Sequence, residues 1–112
     1  MPDIVYFISS DKMGNQDPEL GKRLMAGFFR KLFEAEQKPS KVLLVESGVK
    51  LLLPEFDAFG VLRELEAEGV EFLACVTCLE YYGITEKIGL GQVSNMPTII
   101  QVMHEADKVI SF

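Results

Sequence analysis

The sequence predicts an α/β domain in which a parallel sheet is sandwiched by helices. Short, continuous apolar runs rich in β-branched or aromatic residues alternate with amphipathic segments, and the links between them are short. Continuous apolar runs are typical of strands that are covered on both faces. Strand–helix–strand repetition then indicates parallel pairing, because parallel neighbours are joined by helical crossovers.

Four runs are predicted to be strands, because each is short, apolar and bounded by polar or turn-forming residues. They are Ile4–Ile8, Val42–Val45, Val70–Ala74 and Lys108–Phe112.

The first helix is predicted over Leu20–Glu36, in the link between the first two strands. Asp17 followed by Pro18 marks its start, since aspartate caps helices and proline suits the first helical position. Apolar residues recur every four positions and are expected to face the core. These residues are Leu20, Leu24, Phe28 and Leu32.

Two further helices follow. One is predicted from Phe56 to Glu68 and ends at Gly69, a natural capping residue. The other begins at Met96 or Pro97, is opened by Asn95 as N-cap, and ends at Glu105. The apolar residues expected to point inward from the first of them are Phe59, Leu62 and Leu65.

The only two cysteines of the chain, Cys75 and Cys78, lie two residues apart where the third strand stops and a helix is predicted to begin. A strand ending there delivers a thiol to its carboxyl end, and the following helix directs unpaired N–H groups and its positive dipole end toward that thiol. Both effects favour thiolate over thiol. A Cys-x-x-Cys pair in a βαβ pattern therefore predicts redox or thiol-transfer chemistry.

Other roles for the pair were weighed against this one. Free cysteine often serves as a small buried hydrophobe. A structural disulfide is disfavoured, because so short a loop constrains the unfolded chain little. A zinc site is also disfavoured: it needs four ligands, and besides the pair only His104, the single histidine, and carboxylates are present. No metal and no cofactor are expected.

Function in an open parallel sheet is expected at the carboxyl ends of the strands. Besides the cysteines, the segments Ser9–Asp17 and Glu46–Lys50 fall there. The first is a polar loop but lacks the glycine spacing of nucleotide-binding loops, which disfavours a phosphate cradle. Ser47-Gly48 is predicted to be an ordinary turn, with Gly48 allowing a close approach to the neighbouring loop.

Composition narrows the class of protein. With 112 residues, 48% of them apolar, residues 1–112 are expected to form a single domain. The net charge of −6 argues against nucleic acid, which demands clustered basic residues. No apolar stretch is long enough to span a membrane, and the start lacks signal-peptide order, so a cytoplasmic location is expected.

Several short motifs follow one another along the chain: Ser10-Asp11-x-Met13-Gly14, Asp17-x-Glu19-Leu20-Gly21, Ser47-Gly48-Val49-Lys50-Leu51, Cys75-x-Thr77-Cys78-Leu79-x-Tyr81-Tyr82-Gly83, Asn95-Met96-x-Thr98-Ile99 and Ala106-Asp107-Lys108-Val109. This order resembles the DsrE-like superfamily. More closely, it resembles the domain at the carboxyl end of YedF proteins, which are linked by name to selenium metabolism.

The resemblance implies a three-layer α/β/α sandwich with a parallel sheet of five strands. It also implies sulfur relay, since DsrE and TusD hold a persulfide on one cysteine, and the ungapped match puts that position on Cys75. Cys78 is then the extra residue of the YedF-like branch. YedF-like chains often carry glycine at the position of Val76 and near that of Gln16, so the backbone freedom around the thiols differs here. The 112 residues include no TusA-like carrier domain of the kind usual in YedF proteins, so a separate sulfur-carrier protein of that kind is expected as donor or acceptor.

The sequence thus predicts sulfur or selenium transfer, with Cys75 as carrier and Cys78 as resolving thiol. Two alternatives stay open: a non-enzymatic module whose thiols sense redox state or support an interaction, and a fold member whose cysteines only pack. A homo-oligomer is expected as well, because the first two helices carry more aromatic side chains than so small a domain easily buries. These are Phe28, Phe29, Phe33, Phe56 and Phe59.

Overall fold

The computed structural model describes residues 2–112 as one sheet of five parallel strands with helices on both faces. The strands are β1 (Ile4–Ile8), β2 (Lys41–Leu44), β3 (Glu71–Cys75), β4 (Gln92–Ser94) and β5 (Lys108–Ser111). The helices are α1 (Pro18–Glu34), α2 (Phe59–Ala67), α3 (Val76–Tyr82) and α4 (Met96–Glu105), and a 3₁₀ helix spans Glu46–Leu52. The predicted fold class is confirmed.

The strand order across the sheet is β4-β3-β2-β1-β5, with every neighbouring pair parallel. The larger apolar cluster joins α1, α2 and the 3₁₀ helix to one face of the sheet. A smaller cluster joins Ile99 of α4 to the other face, which makes the three layers. Strands β4 and β5 are the two edges.

Four strands lie where the sequence predicts them, and β4 is the one that its residues did not indicate. It has three residues, Gln92–Ser94, and none of them is fully buried. An edge strand is covered on fewer sides than a central one, so it needs no apolar run. Only the family resemblance predicted a fifth strand.

The start of α1 is confirmed, but its buried face differs from the prediction. The Asp17 carboxylate accepts from the N–H groups of Glu19 and Leu20 at 3.0 and 3.1 Å. Leu20 and Leu24, however, are 53% and 46% exposed. Each four-residue step turns about 40° around a helix of 3.6 residues per turn, so a strict spacing of four drifts off the core. The face that is buried comprises Gly21, Met25, Ala26, Phe29 and Leu32.

The other two predicted helices also form. Helix α2 begins at Phe59 rather than Phe56, because the intervening residues form turns, and it buries Leu62 and Leu65. Helix α4 is capped as predicted: the Asn95 side chain accepts from the N–H of Thr98 at 2.9 Å. None of the helices in residues 2–112 is long and apolar enough to cross a membrane.

The five phenylalanines of α1, α2 and their link all contact the core of the domain. Phe29 is fully buried, and the other four are partly buried against the larger cluster. Aromatic edge contacts help: the ring centroids of Phe28 and Phe112 lie 5.0 Å apart. The exposed large apolar side chains are instead Leu20, Leu24, Tyr81, Val93, Met96, Ile100 and Ile110.

The segment after β2 is a 3₁₀ helix, so the prediction of an ordinary turn at Ser47-Gly48 is wrong. The close approach predicted for Gly48 is confirmed. A Cβ atom at this position would lie 2.5 Å from the carbonyl oxygen of Ile8, the last residue of β1. Only glycine therefore lets the 3₁₀ helix pack against the carboxyl end of β1.

This contact yields a stability prediction. Gly48→Ala should lower the free energy of unfolding by about 1–3 kcal/mol, because the new methyl group overlaps backbone that cannot move independently. Urea denaturation of the purified variant measures it. Gly60→Ala is the matched control, since a Cβ there meets nothing within 4 Å; it should be neutral or raise stability by about 0.4–1 kcal/mol. Equal stability of the two variants would contradict the packing argument.

Candidate functional site

The two cysteines meet at the junction of β3 and α3, on the carboxyl edge of the sheet. Cys75 is the last residue of β3 and the N-cap residue of α3, and Cys78 lies in the first turn of that helix. Both thiols are free. The α3 helix ends at Gly83, whose left-handed φ of 67° closes the turn, as expected for a capping glycine.

Burial differs between the two thiols. Cys75 is 3% exposed and belongs to the apolar cluster that includes Leu43, Leu73 and Ile99. Cys78 is half-buried and packs against both apolar clusters. A molecule that approaches from solvent therefore meets Cys78 first, and Cys75 lies behind it.

Glu46 connects the 3₁₀ helix to the cysteine pair. Its backbone N–H donates to the sulfur of Cys78 across 3.1 Å. Its φ of 50° is the only left-handed angle at a non-glycine residue among residues 2–112. Such a conformation costs of order 1 kcal/mol and is held by surrounding structure, here by the packing of Gly48 two residues on. Sequence reasoning placed this segment at the site but gave Glu46 no role, because side-chain identity does not reveal a backbone donor.

The Cys75 thiol is the more acidic of the pair. Burial raises its pKa, but donors from the backbone and side chains of Cys78 and Thr77 outweigh burial, so the pKa is lowered from the ordinary value. Hydrogen bonds to the charged form of sulfur favour ionisation, so the donors at the start of α3 stabilise a thiolate at Cys75.

The Cys78 thiol is shifted the other way. Burial raises its pKa, and the N–H of Glu46 opposes this rise without cancelling it; Cys75 and the Glu46 carboxylate raise the pKa further. As pH rises, Cys75 therefore loses its proton before Cys78 does. This division suits a nucleophile and a second thiol that acts later.

A cleft of about 350 Å³ opens over Cys78. Glu46, Thr77, Tyr81 and Tyr82 complete its lining. Tyr81 is 84% exposed, and its ring meets Tyr82 edge-on with centroids 5.3 Å apart. An exposed aromatic side chain beside a thiol offers a contact surface to a partner or substrate.

Tyr82, which lines this cleft, contacts Lys50. The Lys50 ammonium lies 4.2 Å from the centroid of the Tyr82 ring, a cation–π contact. Desolvation raises the pKa of the Tyr82 hydroxyl, and the negative charges of Glu46 and Asp11 raise it further. Tyr82 therefore stays a neutral hydrogen-bond donor at the mouth of the site.

The Ser9–Asp17 loop reaches the same edge of the sheet. The backbone N–H of Asp11 donates to the Ser47 hydroxyl at 3.2 Å, and the Asp11 carboxylate pairs with Lys12 at 2.9 Å. His104 lies in the last turn of α4, at the opposite edge. Within residues 2–112 no three His, Cys, Asp or Glu side chains are grouped so as to hold a metal ion.

The opposite pKa shifts predict separate pH profiles for the two thiols. Alkylation of the native protein should switch on at lower pH for Cys75 than for free cysteine, because only thiolate reacts and its pKa is lowered. For Cys78 it should switch on at higher pH. Initial rates of iodoacetamide labelling, read for each cysteine by peptide fragmentation, measure both profiles.

Glu46→Gln serves as an internal control, because removing that carboxylate should move only the Cys78 profile to lower pH. Denatured protein should show two coincident profiles. If the native profiles also coincide with that of free cysteine, the thiols are packing residues.

Solved structures with a similar fold match nearly the whole chain. The structure is similar to the ychN protein of E. coli, with a TM-score of 0.71, 21% identity and full coverage of both chains. It is similar to MTH1491 of Methanobacterium thermoautotrophicum, a protein of unknown function, with a TM-score of 0.72, 23% identity and full coverage of both. BT1422 of Bacteroides thetaiotaomicron, also a conserved protein of unknown function, is similar with a TM-score of 0.65 and 16% identity. The match covers 98% of this chain and 95% of BT1422.

No curated protein matches the sequence. These three structures are less than 25% identical in sequence to this chain, so they show the fold alone. A family model does match: the description DsrE/DsrF-like family applies to residues 5–112, nearly the whole sequence. The chain belongs to the DsrE/DsrF-like family.

Proposed function

We propose that this protein is a sulfur relay, in which Cys75 accepts a sulfur atom as a persulfide and Cys78 resolves it. The observation that carries the proposal is the pair of free thiols at one strand end with pKa values shifted in opposite directions. Membership of a family associated with sulfur relay supports the same reaction class. Selenium, whose transfer chemistry is analogous, is the alternative cargo.

Loading needs one bond exchange. The Cys75 thiolate attacks the outer sulfur of a donor persulfide, the donor's S–S bond breaks, and the donor leaves as a thiolate. The outer sulfur keeps its proton and the donor thiolate keeps the electron pair of the broken bond, so Cys75 ends as a persulfide without any external oxidant. The donors at the start of α3 that stabilise the thiolate also favour the attacking form.

The Cys75 persulfide can then react in two ways. An acceptor thiolate can take the outer sulfur and return Cys75 to a thiolate, which is relay. Alternatively, Cys78 loses its proton and attacks the inner sulfur; hydrosulfide leaves and a Cys75–Cys78 disulfide forms. The raised pKa of Cys78 keeps this second thiol protonated at neutral pH and so slows the release.

A redox-sensing module is the second candidate, because the same proximity lets the pair oxidise directly to a disulfide. That step requires an external two-electron oxidant such as a peroxide and transfers no sulfur. Loss of the Cys78 thiol would remove the hydrogen bond from Glu46 and alter the 3₁₀ helix next to it. Sulfur transfer to an acceptor separates the two candidates.

The partner in the proposed relay is a separate sulfur-carrier protein of the TusA-like kind. The cleft over Cys78 is open, and exposed Tyr81 offers it a contact surface. We further propose self-association, supported by exposed aliphatic side chains on two faces of the domain: Leu20 and Leu24 on α1, and Met96 and Ile100 on α4.

The two thiols should behave differently toward a persulfide donor. Cys78→Ser should accumulate a species one sulfur atom heavier, because no thiol resolves the Cys75 adduct. Wild type should release hydrosulfide and gain a disulfide, and Cys75→Ser should form no lasting adduct. Intact-protein mass spectrometry distinguishes these products.

Reversed roles, with Cys78 loading and Cys75 dispensable, would overturn the residue assignment and retain the reaction class. Identical behaviour of both variants and wild type would end the relay proposal. Transfer of the loaded sulfur to a purified TusA-like carrier, absent in a pure redox sensor, completes the test.

Self-association should appear in light scattering as a mass above that of one chain at micromolar concentration. Leu24→Gln or Ile100→Gln should lower that mass, and the variant that does so identifies the contacting face. Both side chains are exposed, so neither change should unfold the chain. A wild-type monomer under these conditions contradicts a homo-oligomer.

A further inference from the structure

A second cleft lies beside the cysteine cleft and shares a wall with it. Its volume is about 300 Å³. Lys50 lines this second cleft, and its ammonium contacts the ring of Tyr82, which lines the first. Leu53 and Phe56 supply apolar lining, and buried Leu51 lies beneath them. The cleft is therefore an apolar depression next to the thiols.

Charges of both signs surround this depression. Its two aspartates, Asp11 and Asp57, are already paired with basic neighbours. Lys22 and Glu55 take part in none of the ion pairs formed by the described part of the chain. Lys50 is also outside these ion pairs, but its ammonium lies against the Tyr82 ring. Lys22 and Glu55 are thus the cation and the anion available at the rim, above an apolar floor.

We propose that this second cleft binds the thiol half of a small zwitterionic persulfide, the persulfide of cysteine or of a short cysteine-containing peptide. Lys22 faces the ligand's carboxylate, Glu55 faces its ammonium group, and the methylene carbons lie on Leu53 and Phe56. The persulfide group then extends past Tyr82 into the cleft over Cys78. The inference rests on the proposed sulfur transfer and names the donor's chemical class.

Charge complementarity favours a zwitterion over an inorganic anion. The protein carries a net charge of −6, and Glu46 lines the mouth of the cysteine cleft. This field repels polysulfide and other donors of greater negative charge, and it acts less on a ligand whose carboxylate is balanced by an ammonium group. In the reaction the Cys75 thiolate takes the outer sulfur with its proton, the S–S bond breaks, and the small thiol leaves as a thiolate from the second cleft.

The test compares four donors on the Cys78→Ser protein, in which the adduct persists. The persulfides of cysteine, cysteamine, 3-mercaptopropionate and 2-mercaptoethanol are respectively zwitterionic, cationic, anionic and neutral. Loading rate constants come from quenched samples analysed by mass spectrometry. The ratio to follow is the loading rate constant for cysteine persulfide divided by that for 2-mercaptoethanol persulfide. Adding Lys22→Gln and Glu55→Gln to the Cys78→Ser protein should lower this ratio by about fivefold, the size expected of two partly solvated charge contacts. Because the ratio is compared between proteins, intrinsic donor reactivity cancels.

The matched control removes one cation and one anion near the start of β5, with Glu105→Gln and Lys108→Gln, and should leave the ratio unchanged. If inorganic polysulfide loads Cys75 but Lys22→Gln and Glu55→Gln do not alter the ratio, the subsite is wrong and the relay stands. If no donor loads Cys75 at all, the relay fails as well.

Binding can be separated from reaction with S-methylcysteine, which cannot transfer sulfur. Titrated at millimolar concentration, it should shift the backbone amide NMR signals of Leu53 and of residues 55–57, and the Lys22→Gln, Glu55→Gln protein should lose these shifts. Shifts elsewhere only, or none, would overturn the subsite whether or not sulfur is transferred.

Discussion

The arrangement of the site depends on the contact between Gly48 and the end of β1. The absence of a side chain lets the 3₁₀ helix lie against the carbonyl of Ile8. With the helix in that place, Glu46 at its start reaches Cys78 and Lys50 on its last turn reaches Tyr82. One backbone approach thus positions a donor to the thiol and the wall between two clefts.

The strained conformation of Glu46 fits this account. A left-handed φ of 50° at a residue with a side chain is retained only where the neighbouring structure requires it. Here the chain must leave β2 and turn at once into the 3₁₀ helix. The same turn aims the N–H group at sulfur, so the strain and the thiol contact have one cause.

Much of this fold could be predicted from sequence because its signals are local. Continuous apolar runs define β1, β2 and β3, while Asp17 and Asn95 cap their helices as predicted. The buried face of α1 could not be derived so simply: two apolar stripes overlap, and only packing against the sheet selects Met25 and Phe29 over Leu20 and Leu24. Strand β4 is an edge strand of only three residues, none of them fully buried, so it carries no apolar signal.

The cysteines could be selected from their spacing and from the strand that precedes them. Their difference in acidity could not, since it depends on which donors approach each sulfur. Lys22 and Glu55 lie far apart in sequence, and only the fold brings them to the rim of one cleft. Charged side chains on a surface carry no pattern that would reveal such a meeting.

The burial of Cys75 has a consequence for the order of events. On one side its sulfur belongs to a close-packed cluster with Ile99 and Leu43, so an added atom has no room there. The sulfur atom of the proposed persulfide would therefore point toward the opening above Cys78. In the proposed relay, the sulfur atoms of donor and acceptor would reach Cys75 through this one opening and would have to do so in turn.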